Sequence, residues 1–248
     1  MIELVNVRKS FEGRAVLDGV SLSLAHGETF VIIGMSGTGK TVTLKHIAGL
    51  LDPDSGDVLI GGVKMNGAEE QVRESLRRKM GIVFQSGALI NWLSVYENIA
   101  LPLVERRLLS AEEIEETVDE KLRLLGLSEA KHKMPGELSG GMRKRVCLAR
   151  VLVRNPEIIL YDEPTAGLDP VMSRTINNLI KRMQREFQVT SMVVTHDMHS
   201  AYDIADRIAM LYNGSIIQCD VPEKIKDSDN PIVRQFVRGQ VEGPIIVE

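Results

Sequence analysis

Gly34-Met35-Ser36-Gly37-Thr38-Gly39-Lys40-Thr41 fits the pattern G-x-x-x-x-G-K-[ST], a loop that cradles phosphate groups. Before it runs Thr29-Phe30-Val31-Ile32-Ile33, an apolar stretch of strand length. After it, Val42, Leu44, Ile47, Ala48 and Leu51 fall at helical spacing, and Gly49 comes close to the end. The competing reading, a glycine-rich turn that matches by chance, does not account for this strand and helix. Glycines let the backbone turn its N–H groups onto phosphate oxygens, and a helix N-terminus adds positive partial charge. Lys40 is expected to reach the terminal phosphates of a nucleotide, and the Thr41 hydroxyl to hold Mg²⁺.

The bulk numbers fit this reading. The chain has 248 residues, 44% of them hydrophobic and 26% charged, as in a soluble globular protein with one large domain or two small ones. A formal net charge of −4 offers no general basic field to nucleic acid. No apolar run approaches the roughly 18 to 20 residues that span a bilayer. Met1-Ile2-Glu3-Leu4 has no basic segment or apolar core of a secretion signal. Cys147 and Cys219 lack metal or redox spacing and suit a reducing cytoplasm. The expectation is a soluble intracellular protein.

In chain order, Ile2, Leu4 and Asn6 alternate with Glu3, Val5 and Val7 as a half-buried strand. Val16-Leu17, Val20, Leu22 and Leu24 form a second, turned at His26-Gly27-Glu28. Asp54-Ser55-Gly56 leads into the short strand Asp57-Val58-Leu59-Ile60. Residues 69–80 read as a charged helix and 81–85 as strand. The next seventy or so residues are mostly helical. There, Ser110 and Glu113 make a capping box, and Ser139 caps a helix carrying Met142, Val146, Ala149 and Val153. Ile158-Ile159-Leu160-Tyr161 and Ser191-Met192-Val193-Val194-Thr195 are apolar strands flanking an amphipathic helix from Val171 to Phe187. Asn213-Gly214 signals a type I′ hairpin. The pattern predicts an α/β fold: a parallel core with an antiparallel β layer and an inserted helical subdomain. One domain is expected over 1–248, with core at about 1–87 and 156–219, helical subdomain at 88–155 and helical tail at 220–248. Three aliphatics near the end, Ile245, Ile246 and Val247, need burial on the chain's own surface or on a partner. The expectation taken is that they support assembly, and that removing them spares the isolated chain's stability.

Further stretches carry a resemblance. Leu138-Ser139-Gly140-Gly141-Met142 resembles the LSGGQ signature of the ATP-binding cassette (ABC) family. Ile158 to Tyr161 followed by Asp162-Glu163 resembles its Walker B strand, and Thr195-His196-Asp197 its switch histidine. Gln85 resembles the Q-loop glutamine, Gly167-Leu168-Asp169 the D-loop, and Phe11 the aromatic that stacks on adenine. Together they cover nearly the whole chain. The resemblance implies a P-loop NTPase fold that hydrolyses ATP with Mg²⁺. It makes Lys40, Gln85, Glu163 and His196 catalytic: Glu163 polarises the attacking water and His196 senses the γ-phosphate. Phe11, Val16, Gly34, Ser36, Gly37, Thr38, Gly39, Lys40, Thr41 and Val42 would hold ATP, and Thr41, Gln85 and Asp162 would hold the metal. In the family, Ser139, Gly140, Gly141, Met142 and Asp169 face the nucleotide of a second copy, so two chains would stack head to tail.

Met142 departs from the usual glutamine, while the serine and two glycines that face phosphate are kept. Arg143-Lys144-Arg145 reads as a solvated helix face rather than a nucleic-acid patch. Trp92 lies where transporter members meet their membrane subunit, or is an ordinary core residue. A transporter ATPase, a cytosolic cassette acting on ribosomes or nucleic acid, and a non-hydrolysing interaction protein compete. A single cassette with about fifty residues between Gln85 and the signature, and with Glu163 and His196 present, favours the first. Met142, residues 84–89, residues 230–236 and Gly243-Pro244-Ile245 resemble the ATPase subunit of Mce/Mla-type lipid transporters; Asn91-Trp92 departs from that group. This implies phospholipid transport at the cytoplasmic side of a bacterial inner membrane. The partners would be a second copy, integral membrane permease subunits, an Mce-domain protein and a STAS-domain accessory protein. The alternative is an importer ATPase for a polar solute such as an amino acid.

Overall fold

The computed structural model describes residues 2–105 and 107–246; Met1, Arg106, Val247 and Glu248 lie outside them. The chain opens with β1 (Ile2–Phe11), β2 (Arg14–Leu24) and β3 (Thr29–Ile33), then α1 (Lys40–Ile47). There follow β4 (Ser55–Ile60), β5 (Val63–Lys64), α2 (Glu70–Arg78) and β6 (Met80–Val83). A helical stretch holds α3 (Val95–Val104), α4 (Ala111–Leu124) and α5 (Gly140–Leu152). The chain then returns to strand and helix through β7 (Ile158–Asp162), α6 (Pro170–Phe187), β8 (Thr190–Thr195) and α7 (Met198–Ile204). It closes with β9 (Arg207–Tyr212), β10 (Ser215–Asp220), α8 (Pro222–Lys226) and α9 (Pro231–Arg238).

Two sheets form the frame. The larger has the order β10-β9-β3-β8-β7-β6, parallel except for β10; the smaller is antiparallel in the order β2-β1-β4-β5. Period-2 alternation sends side chains of one strand to opposite faces. Phe30 and Ile32 therefore join a core with Leu44, Ile47 and the small sheet's Leu4, Val20 and Val58. Val31 and Ile33 join the other core, shared with Ile99, Val118, Val146 and Ile180 from the helices. A strand buried on both faces reads as a continuous apolar run.

Local differences from the sequence reading have local causes. In β1 the alternation breaks: Ile2, Leu4 and Val7 are buried, whereas Val5 is exposed. Asn6 takes φ 49°, and the register with β2 and β4 shifts there, so a bulge resets the pattern. The strand after α2 stops at Val83, leaving Phe84 and Gln85 in a loop. Helix α3 opens with Ser94 and Glu97 in the same reciprocal capping box as Ser110 and Glu113. The hairpin is type I′, with Asn213 at φ 46° and Gly214 at φ 76°.

The tail corrects an expectation. Ile245 turns inward and is buried in the chain's own core, while Ile246 is exposed and Val247 lies outside the described residues. The Gln235 amide, itself buried on α9, accepts from the Ile245 N–H at 2.7 Å and donates to the Ile245 carbonyl at 3.1 Å. Deleting residues 243–248 should therefore cost the isolated chain about 2 kcal/mol of burial, roughly 4–8 °C in melting temperature for this length. Circular dichroism melts of the full and truncated chains check this; coincident melts would contradict the docking.

Candidate functional site

In a parallel sheet all the carboxyl ends point one way, and the loops that leave them converge. Here Ile33 of β3 pairs with Thr195 of β8, Val194 of β8 with Asp162 of β7, and Tyr161 of β7 with Val83 of β6. That register brings the loop from Gly34, the loop through Gln85, the Asp162-Glu163 pair and the Thr195-His196 pair to one edge.

The phosphate-type loop wraps around its own lysine. Lys40, the first residue of α1 and 6% exposed, donates to the Gly34 carbonyl at 2.8 Å and the Met35 carbonyl at 2.9 Å. Burial pushes its ammonium below the usual lysine range, and Glu163 and Asp162 pull it back. Gly39 is required where it stands: its φ is 102°, and a Cβ would lie 2.8 Å from Leu17 and 3.0 Å from the Val16 carbonyl. A cleft of about 380 Å³ opens beside the loop, lined by Phe11, Val16, Ser36, Gly37, Gly39, Lys40, Thr41, Val42, Gln85 and Glu163. Phe11, at the end of β1, is exposed.

The Thr41 hydroxyl donates to Asp162 at 2.9 Å. Burial raises the Asp162 carboxyl above the usual carboxylate range, the hydrogen bond from Thr41 opposes this, and Glu163 adds to it. Glu163 follows the strand end at φ 48°, a left-handed conformation that costs a non-glycine residue energy. Its carboxylate is nonetheless fixed. The Thr195 hydroxyl donates to one oxygen at 3.0 Å, and His196 Nδ1 lies 3.0 Å from the other. The second bond requires the Nδ1–H tautomer. Lys40 Nζ is 3.9 Å from the same oxygen.

The remaining expected site residues lie outside this cleft. Ser139 is exposed and caps α5, accepting from the Met142 N–H at 3.3 Å; Gly140 and Gly141 form the first turn. Asp169 caps α6 through the N–H groups of Val171 and Met172. Gly34 is buried, and Thr38 donates to the Met35 carbonyl. A larger open groove of about 910 Å³ runs between the starts of α6 and α7 and holds none of the phosphate-type loop. Trp92 is 80% exposed and so belongs to no core.

Two residues were missed by sequence reasoning. Thr195 is fully buried and orients Glu163; the signal was a polar residue closing an apolar strand. Lys144, read as part of a solvated face, is buried: it donates to the carbonyls of Gln85 and Glu163. Arg143 donates to the Leu138 carbonyl, and Arg145 to the carbonyls of Leu125 and Gly126 at the end of α4. Arg143 is exposed, as a solvated face requires, whereas Lys144 is buried and Arg145 half-buried, and each of the three braces a loop or a helix end.

Comparison with known proteins gives the geometry its family. The model of the ABC transporter family matches residues 17–166. A probable ribonucleotide transport ATP-binding protein mkl of Mycobacterium leprae (strain TN) is 41% identical, over 98% of this chain and 70% of that one. The intermembrane phospholipid transport system ATP-binding protein MlaF of Haemophilus influenzae (strain ATCC 51907 / DSM 11121 / KW20 / Rd) is 36% identical, over 99% of this chain and 93% of that one. Among solved structures, a dimeric ATP-binding cassette in a post-hydrolysis state bound to ADP and Pi superposes with a TM-score of 0.82. Its identity is 36%, covering 90% of this chain and 99% of that one. The chain belongs to the ABC transporter family, as an ATP-binding and ATP-hydrolysing cassette.

Proposed function

We propose that two copies of this chain hydrolyse Mg·ATP to drive phospholipid transport through permease subunits, at the cytoplasmic side of an inner membrane. The observation that carries the catalytic part is the convergence of Lys40, Asp162, Glu163 and His196 beside one cleft. Lys40 would exchange its two carbonyl partners for β- and γ-phosphate oxygens, with the N–H groups of residues 34–41 closing around them. Phe11 and Val16 would flank the base. Glu163, held by Thr195 and His196, would accept a proton from the attacking water. Water attack on the γ-phosphate then needs charge neutralisation and an aligned nucleophile, and little covalent help.

The donor set fits Mg²⁺. Thr41 and Asp162 offer hard oxygen ligands side by side, Gln85 lines the same cleft, and burial raises the Asp162 carboxyl despite Lys45 and Lys40. Mg²⁺ bound there would neutralise phosphate charge. Among the described residues no group of three or more His, Cys, Asp or Glu could hold a metal, as suits an ion that keeps waters and shares phosphates. Ser139, Gly140, Gly141 and Met142, with Asp169, stand exposed or at helix starts outside the cleft; from there they would reach the nucleotide of a second copy.

Among the described residues no helix is long and apolar enough to cross a membrane, so membrane transport needs permease subunits. A groove between the two subdomains, lined by Leu50, Arg77, Gly81, Pro102, Arg150 and Val151, suits a partner helix with apolar and acidic faces. The lipid reading rests on Met142, residues 84–89, 230–236 and 243–245, and the relative named for phospholipid transport. An Mce-domain protein and a STAS-domain protein complete it. The relative named for ribonucleotide transport favours a polar solute instead. Mass spectrometry of molecules bound to the complex recovered from its native membranes separates the two.

Two outcomes test the catalytic reading. Glu163→Gln should bind ATP, form a stable dimer by native mass spectrometry and lose turnover, whereas Lys40→Ala should lose nucleotide binding as well. Wild-type turnover by Glu163→Gln would remove the assigned base. The second outcome concerns pH. A raised Asp162 pKa means that its ionised form is disfavoured in the folded chain. That cost grows as pH rises from the unfolded value of about 4 and is complete above the folded value. Asp162→Asn should therefore melt higher than wild type at pH 7, with the difference closing toward pH 4. A lower melting temperature at pH 7 would show that the carboxylate stabilises the fold.

A further inference from the structure

We propose that Lys144 is a positioning residue for hydrolysis: its buried ammonium ties the backbones of Gln85 and Glu163 to the helix that starts at Ser139, so helix and loops shift together. The proposal rests on the catalytic reading above. It begins from a stripe on α5, where residues 144, 147 and 150 share one face. Lys144 donates to the Gln85 carbonyl, Cys147 Sγ to the Gly87 carbonyl at 2.8 Å, and Arg150 to the Ala88 carbonyl at 2.8 Å. The loop bends its carbonyls toward the helix because Gly87 and Ala88 take φ 82° and 47°. A Cβ on Gly87 would sit 2.8 Å from Cys147 Sγ, so the fit is tight.

Lys144 alone in the stripe reaches further, to the Glu163 carbonyl at 3.4 Å. It is 8% exposed, and among the described residues no carboxylate lies within 4.0 Å of its ammonium. Burial disfavours the Lys144 charge more than the nearby Asp162 and Glu163 favour it, and a methionine would fill similar space without that cost. The charge is therefore placed for what it holds. Glu163 already sits at φ 48°, so a donor on its carbonyl acts on a backbone that has no regular structure to fix it. At its other end α5 begins with the exposed Ser139 and with Gly140 and Gly141, the turn proposed to meet the second copy's nucleotide. Five residues of one helix thus connect that contact to the catalytic glutamate.

The test uses the transporter recovered intact from its native membranes, carrying Lys144→Met, Lys144→Gln or Lys144→Arg. Losing both donors in Lys144→Met should lower kcat about tenfold or more, with KM for ATP within about twofold, because no phosphate contact is touched. Lys144→Gln keeps an uncharged amide donor on a shorter side chain and should lose less, and Lys144→Arg should stay within about threefold of wild type. Glu163→Gln is measured alongside. If Glu163→Gln keeps turnover, the catalytic reading fails; if it is inactive while Lys144→Met turns over normally, only the role of Lys144 fails. Parallel loss of kcat and ATP affinity in Lys144→Met, no rescue by arginine, or loss of folded protein in all three variants also overturns the proposal.

Discussion

Four ionisable residues, Lys40, Lys144, Asp162 and Glu163, are buried together at the carboxyl edge of the parallel strands, each less than a tenth exposed. Taking such groups out of water is costly unless each finds partners. The chain supplies them from its backbone and hydroxyls: Gly34 and Met35 for Lys40, Gln85 and Glu163 for Lys144, Thr41 for Asp162, Thr195 for Glu163. Burial still pushes the two lysines down and Asp162 up, an electrostatic strain on all three. Polyphosphate with a divalent cation would relieve it in part, since Lys40 would gain anionic neighbours and Asp162 a cation.

The fold serves this cluster by being rigid beneath it. Strand β3 is buried on both faces, between the small sheet with α1 on one side and the helical layer on the other. A loop leaving such a strand starts from a fixed point, which lets six residues fold around one ammonium. The helical layer is tied to the site more narrowly, through α5 and the loop at residues 85–88. Movement of that helix would therefore reach the site through a few carbonyls, while both cores stay packed.

The sequence made the fold legible wherever one residue type does one job. Gly39, Lys40 and Thr41, the carboxylates closing Ile158 to Glu163, and Asn213-Gly214 each state their geometry locally. It was less legible where a side chain's role depends on what packs over it. Nothing in Arg143-Lys144-Arg145 distinguishes its central lysine, whose burial comes from the Q-loop folding across α5. The Asn6 bulge is set by pairing with strands more than ten residues away, so period 2 carried on past the point where it fails. Ile245 looked unpartnered because its partner, the Gln235 amide, reads as an ordinary polar helix residue. Ser94 and Glu97 carry a legible capping signal, but Pro102 inside Val95–Val104 reads against a helix.

The central claim is that the carbonyls now holding Lys40 stand in for phosphate oxygens. A crystal structure of the Glu163→Gln chain with ATP and Mg²⁺ tests it most directly. The account predicts that Lys40 Nζ leaves Gly34 and Met35 for the β- and γ-phosphates, with Ser139 of a second copy against the γ-phosphate. Nucleotide bound away from residues 34–41, or bound there with Lys40 still on its two carbonyls, would contradict it.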